Sequence, residues 1–196
     1  MDQETYDAYV AILEEELVCA MGCTEPIAVA YCAALARQTL GALPERVSVA
    51  ASANIIKNVK SVVVPNTGGT RGIEAAAAAG VVAGNADAKL EVLAGVTGEE
   101  IATMRDFLAT HEVSVSPSER PWIFDIQVRV SGDGHEALCE IAGSHTNVIH
   151  VERDGKVLLS EPFEETAGEK DAGTDRGCLS IERPVSYTHL TLPTKA

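Results

Sequence analysis

Met21-Gly22-Cys23-Thr24-Glu25-Pro26 is the stretch from which the rest of this 196-residue chain is best read. Gly22 allows the backbone to turn and to approach a neighbour closely. Thr24 is a capping residue, Glu25 suits the positive end of a helix, and Pro26 belongs in a first turn. The run that follows, Ile27 to Leu40, is alanine-rich and apolar on nearly every face, which predicts a buried helix ending at Gly41. A thiol at the start of such a helix lies in positive potential. Cys23 is therefore expected to have a lowered pKa and to be chemically useful as a thiolate. The other reading of the same six residues is a small packed hydrophobe beside a helix cap.

Outward from this stretch, Tyr6, Val10, Leu13 and Leu17 recur at helical spacing, with Glu14 to Glu16 mostly on the far side, so an amphipathic helix precedes it. Beyond Gly41, Val47 to Ser52 reads as a strand, Asn54 to Asn58 as a polar-flanked connection, and Ser61 to Val64 as a second strand. Pro65 to Gly72 is a glycine-rich loop leading into an alanine-rich helix from Ile73 to about Ala83. Strand, glycine loop and helix together aim backbone N–H groups at an anion. The loop has neither the Gly-Lys-Ser/Thr ending of a triphosphate cradle nor a G-x-G-x-x-G pattern, so a small carboxylate suits it better. Asn66, Thr67, Gly68 and Gly69 are the candidate donors, with Arg71 a nearby charge; an ordinary strand-to-helix turn is the alternative.

Leu90 to Val96 fits a strand or a short helix, and Gly98 to Thr110 a helix with Ile101, Met104, Phe107 and Leu108 on one face. From Val113 the character changes. Ile123 to Ser131 alternates, Gly132-Asp133-Gly134 turns, and Ala137 to Ile141 returns as a hairpin partner. The polar patch Gly143-Ser144-His145-Thr146-Asn147 follows, then a second hairpin from Val148 to Ser160 about Asp154-Gly155. Helices dominate the first half and antiparallel strands the second, which is an α+β class.

A net charge of −14 argues against nucleic acid or an anionic membrane as a partner. Cys19, Cys23, Cys32, Cys139 and Cys178 show no C-x-x-C pair and no zinc spacing, and their odd number in apolar contexts points to a reducing cytoplasm. The first residues are acidic rather than basic, unlike a signal peptide, and the run from Ile27 is too short and alanine-rich for a membrane span. Residues 1–163 are expected to form an N-terminal α+β portion. Residues 164–183 read as an acidic linker or truncated segment. Residues 184–196 resemble translated sequencing-adaptor read-through, a non-native tail that implies a fragment.

Four motifs in order carry a resemblance to a known family: Gly22-Cys23-Thr24-Glu25-Pro26; Asn54-Ile55-Ile56-Lys57-Asn58 with Pro65-Asn66-Thr67-Gly68-Gly69; Gly84-Asn85 with Leu90-Glu91-Val92-Leu93; and His145-Thr146-Asn147. They resemble the L-cysteine desulfidase family, of the UPF0597 type within the serine dehydratase-like alpha-chain superfamily. The resemblance implies an iron–sulfur lyase that removes the β-substituent of a small L-amino acid without pyridoxal phosphate. L-cysteine would give pyruvate, ammonia and hydrogen sulfide; the alternatives are L-serine dehydration and a non-catalytic amino-acid-binding or interaction domain. It implies that Cys23 is the catalytic acid/base and that His145, Thr146 and Asn147 lie on the substrate side. It also implies a [4Fe–4S] cluster ligated from a helical C-terminal half, with no metal ligand in this chain. An apolar helix face left open by the absence of that half would favour self-association into a homo-oligomer.

Overall fold

The computed structural model describes residues 2–17, 19–164 and 176–179. The chain divides into two compact units, one of Ala20–Glu165 and a smaller one of Met1–Cys19 with Thr166–Ala196. The acidic segment and the tail expected at 164–183 and 184–196 fall almost wholly outside the described residues.

In the smaller unit, α1 (Gln3–Glu16) is capped by the Asp2 carboxylate, which accepts from the Thr5 amide at 2.7 Å. Its buried face runs through Thr5, Tyr9 and Ile12, not through the expected Tyr6, Val10, Leu13 and Leu17; Leu17 is 58% exposed. The Tyr9 hydroxyl donates to the Cys178 carbonyl at 3.1 Å, and Arg176 pairs with Glu15 and Glu16.

The larger unit is α+β, as expected, and is built on α2 (Thr24–Leu40). Ile27 to Ala30 and Cys32 to Ala34 are fully enclosed, because the helix is apolar all round and other elements pack against it on several sides. One side carries a six-stranded sheet in the order β2-β1-β3-β4-β5-β6, with β1 spanning Arg46–Ala51, β2 Glu112–Pro117, β3 Asp125–Gly132, β4 His135–Ala142, β5 Val148–Arg153 and β6 Lys156–Ser160. The β1–β2 pair is parallel and the other pairs are antiparallel. Register lines up Val115, Val49, Val128, Cys139 and Val151 in one row across five strands, on the face towards the core. The intervening residues Ser48, Gln127 and Arg129 leave the other face polar.

On α2's second side lies α4 (Ile73–Ala83). A methyl group added at Gly80 would collide with the Ala30 carbonyl and sit 2.9 Å from the Ala33 side chain; at Gly84 it would sit 2.8 Å from Ala34. The two helices therefore approach at backbone distance. Ala75 to Ala79 are at most 3% exposed. The apolar helix face expected to remain open is thus filled within the unit. On α4 packs α5 (Gly98–Thr110), which opens on a Thr97/Glu100 capping box, and against α2 packs a 3₁₀ stretch, Ala86–Glu91; Leu90 to Val96, expected as a strand or short helix, is the end of that stretch and the turn after it.

Three local readings are corrected. Asn54 to Asn58 is not a connection but part of α3 (Ala53–Val59). Ser52 caps it, and Ile55 and Val59, one helical turn apart and each directly following an asparagine, are fully buried. Ser61 to Val64 is not a strand: Val63 makes one isolated bridge to Arg71, closing the glycine loop on itself, while both edges of β1 are already taken by β2 and β3. Strand β2 was not anticipated. Among the described residues no helix is long and apolar enough to cross a membrane.

Candidate functional site

Cys23 is the N-cap of α2, and its side chain makes no capping bond. The thiol is exposed and is turned instead to Glu25 Oε2, to which Sγ donates at 3.5 Å. The same oxygen accepts from Thr24 Oγ1 at 3.3 Å, so Thr24, expected as the cap, serves the first-turn carboxylate. Glu25 Oε1 accepts from Asn58 Nδ2 at 3.4 Å. Asn58 reaches it because α3 buries Ile55 and Val59 and presents Asn58 on its less buried side.

His145 lies in the β4–β5 connection, its ring edge against Phe124 with centroids 4.7 Å apart. Its Nε2 is buried with no hydrogen-bond partner, and the imidazole feels the Glu25 charge. Gly22, at φ 141°, abuts the glycine loop: a Cβ there would lie 3.3 Å from Pro65 Cγ. Cys23 and Asn58, from two of the sequence motifs, therefore meet at the Glu25 carboxylate, Pro65 lies against Gly22 beside them, and the Glu25 charge reaches His145.

The protonation of the site departs from expectation. The Cys23 thiol is pushed up, not down: partial burial raises it, and the hydrogen bond to Glu25 and that carboxylate's charge raise it further, outweighing the Glu25 amide. The helix-start effect is present but loses to burial and to the acid two residues on. For Glu25, burial opposes ionisation, yet its own amide, the Cys23 thiol, the Thr24 hydroxyl and His145 together hold it below the usual carboxylate range. His145 is lowered by burial, against a partial lift from Glu25. At neutral pH the site thus holds a protonated thiol, a carboxylate and a neutral imidazole.

The glycine-loop candidates are used differently from expectation. Asn66 Nδ2 donates to the Leu93 carbonyl at 3.1 Å, and the buried Thr67 hydroxyl donates to the Val64 carbonyl at 2.8 Å, so both side chains hold the loop in shape. Gly68 takes φ 66° and gives its carbonyl to Arg105 at 2.9 Å; Gly69, at φ 89°, is exposed. Thr146 accepts from the Val148 amide, and Asn147 Nδ2 donates to the Ala142 carbonyl at 2.9 Å; these tie the turn that carries His145. Glu25 and Asn58 were not singled out from sequence as site residues. Their signal was the recurrence of one carboxylate and one amide inside motifs otherwise read for backbone geometry.

Cys32 and Cys139 are fully enclosed in the core, and among the described residues no three His, Cys, Asp or Glu side chains are placed to hold a metal ion. Two surface hollows, of about 200 and 230 Å³, lie elsewhere: one on the polar sheet face between Arg46, Ser114 and Arg129, the other beside Arg37 and Asn85. Neither contains Cys23 or His145, and the convergent chemistry rather than the size of a hollow marks the candidate site.

The chain is similar to proteins named UPF0597. It is 45% identical over 186 residues to the UPF0597 protein DSY1109 of Desulfitobacterium hafniense, covering 93% of this chain and 42% of that protein. It is 41% identical over 184 residues to the UPF0597 protein of Treponema denticola, covering 93% of this chain and 42% of that one. To the UPF0597 protein of Lachnoclostridium phytofermentans it is likewise 41% identical over 184 residues, covering 94% and 43%. The chain thus spans about two-fifths of the length of the curated relatives it matches. No family model matches it, and no solved structure matches it.

Proposed function

We propose that this chain carries the acid–base part of an enzyme that removes the β-substituent of a small L-amino acid, with L-cysteine converted to pyruvate, ammonia and hydrogen sulfide in the cytoplasm. The observation that carries the reading is the meeting of Cys23 and Asn58 at Glu25, from motifs far apart in sequence, with the Glu25 charge reaching His145. The chemistry requires that the Cα proton pass to a base while its electron pair forms the Cα=Cβ bond. The Cβ–S bond breaks, and its electron pair leaves with sulfur. The resulting enamine rearranges to an imine, and water converts this to pyruvate and ammonia.

The chain's own contribution is proton handling. Cys23 Sγ holds a proton at rest, and His145, neutral with its Nε2 unpartnered, is the proposed proton acceptor. Cys23 thus enters as an acid that must lose its proton before acting as a base. The exposed Gly68–Gly69 turn of the glycine loop is the proposed seat for the substrate carboxylate. The soft Lewis acid of the resemblance, a [4Fe–4S] cluster, does not fit the residues described here; its ligands are proposed to come from the part of the longer relatives that this chain does not span.

The test is methylene-blue assay of sulfide from L-cysteine and pyruvate assay from L-serine, using this chain and the same chain extended to the length of its relatives. The 196-residue chain is expected to release neither product, and the extended protein to release sulfide. Cys23→Ser in the extended protein is expected to lower the rate at least ~100-fold, the lower end for loss of an acid–base group. An unchanged rate in Cys23→Ser would remove the reading. A second reading, a non-catalytic amino-acid-binding module, is favoured by the unactivated thiol; it requires amino-acid binding that survives Cys23→Ser and no turnover in either length.

A further inference from the structure

We infer that Arg120 is a positioning residue for the His145 imidazole and acts through Phe124, an inference that rests on the acid–base reading above. The connection from β2 to β3 is tied to a buried ion cluster that the chemistry proposed above does not use. Asp125 and Glu140, on the neighbouring strands β3 and β4, are 0% and 6% exposed. Arg120 Nη2 donates to Glu140 Oε2 at 2.8 Å, and Nη1 lies 3.5 Å from Asp125 Oδ1. The other Asp125 oxygen accepts from Ser118 and Gln127. Two carboxylates taken out of water need a cation, and the planar fork of one guanidinium reaches both. The guanidinium also lies over the Trp122 ring, 4.8 Å from its centroid, which is a second hold on the fork.

Printed in the same stretch of chain are the contacts that carry this clamp to the imidazole. Trp122 meets Phe163 edge-on at 4.9 Å, and the Phe163 ring fills the space a Cβ would need at Gly143. The Gly143 amide donates to the Phe124 carbonyl at 3.0 Å. The start of α3 fastens to the residues on either side of Phe124: Ser52 Oγ donates to the Ile123 carbonyl at 2.7 Å, and the Ser52 amide to the Asp125 carbonyl at 2.9 Å. The Phe124 ring then meets His145 with centroids 4.7 Å apart and planes at 64°. Because His145 Nε2 is buried without a hydrogen-bond partner, the imidazole is located by packing, and the ring it packs against is that of Phe124. Release of the clamp at Arg120 therefore shifts the ring on which the proposed proton acceptor leans.

The experiment is NMR of the His145 imidazole in the 196-residue chain at a pH where the ring is neutral, its lines assigned by their absence from His145→Gln. Phe124→Leu removes the aromatic ring current and marks where the lines fall without it. Arg120→Met removes both charge and fork, and is expected to move the His145 lines towards the Phe124→Leu positions. Arg120→Lys keeps the charge without the fork and should fall between parent and Arg120→Met. In a Phe124→Leu background Arg120→Met should add no further shift, because the two residues act by one route. Should Arg120→Met fail to fold, Trp122→Leu, which removes the ring against the guanidinium and leaves every charge, carries the same test. His145 lines that stay at the parent positions in whichever of these two variants keeps the parent's circular dichroism spectrum overturn the assignment. An equal shift from Arg120→Met with and without Phe124 overturns it as well. The readout needs no turnover, so the assignment can fail while Cys23→Ser still abolishes sulfide release by the extended protein, and can hold where that substitution changes nothing.

Discussion

Whether a cysteine at a helix start becomes a thiolate depends on its near neighbours as much as on the helix. Here the backbone amides at the start of α2 favour the anion, but partial burial and the Glu25 carboxylate disfavour it by more. Labelling of Cys23 by iodoacetamide is therefore expected to be slow at neutral pH and to rise only above the ordinary thiol range of about 8.5; half-maximal labelling below neutrality would contradict the geometry. His145 provides a second check. Its folded pKa lies below its unfolded value, so the folded state binds fewer protons there. The stability this gives is present above the unfolded value of about 6.5 and is lost as pH falls below it. His145→Gln should flatten that loss in thermal melts between pH 7 and pH 5, and an identical pH profile in both proteins would count against it. The position of Cys23 was legible from its neighbours in sequence. The sign of its shift was not, because it depends on how far the folded chain buries the thiol and on where the Glu25 side chain points.

At the scale of elements, α2 and α4 show what alanine and glycine richness was for. Gly80 faces the Ala30 carbonyl with no room for a methyl group, so the contact is backbone against backbone. Gly80→Ala is expected to destabilise the fold by ~1–3 kcal/mol despite alanine's better helix propensity, because the helices must separate to admit it; an unchanged or raised melting temperature would show that they can. The long helices and both hairpins were readable from period and turn residues, since their pattern and their packing agree. The misread elements are those in which the two conflict. Asn54 and Asn58 look like loop residues, and only burial of Ile55 and Val59 makes the segment a helix. Val62, Val63 and Val64 look like a strand, but the chain there is hydrogen-bonded back onto its own loop, with Val64 donating to Thr70. Glu112 to Pro117 carries a short alternation, Val113 and Val115, too brief to stand out before its parallel pairing with β1 is known.

For the whole molecule, the described core cluster lies entirely within the larger unit, from Ile27 to Ile141. A chain of residues 20–165 is accordingly expected to unfold as one cooperative transition in circular dichroism and calorimetry. A broad, non-cooperative melt would show that the cluster does not suffice. The order in which the sheet is threaded carries a further consequence. Strand β1 lies between β2 and β3, pairing Arg46 with Glu112 on one side and with Ser131 on the other. Synthesis delivers α2 and β1 early, and the strands bearing Ile126, Val128, Cys139 and Ile141, which complete the enclosure of α2, much later. A ribosome-bound chain paused at Pro117 therefore has α4 to cover one side of this hydrophobic helix, but the β3 and β4 strands that cover the other are still untranslated. Until the β3–β4 hairpin clears the exit tunnel, the sheet-facing side of α2 stays uncovered, and the speed of translation through residues 118–142 sets how long it does.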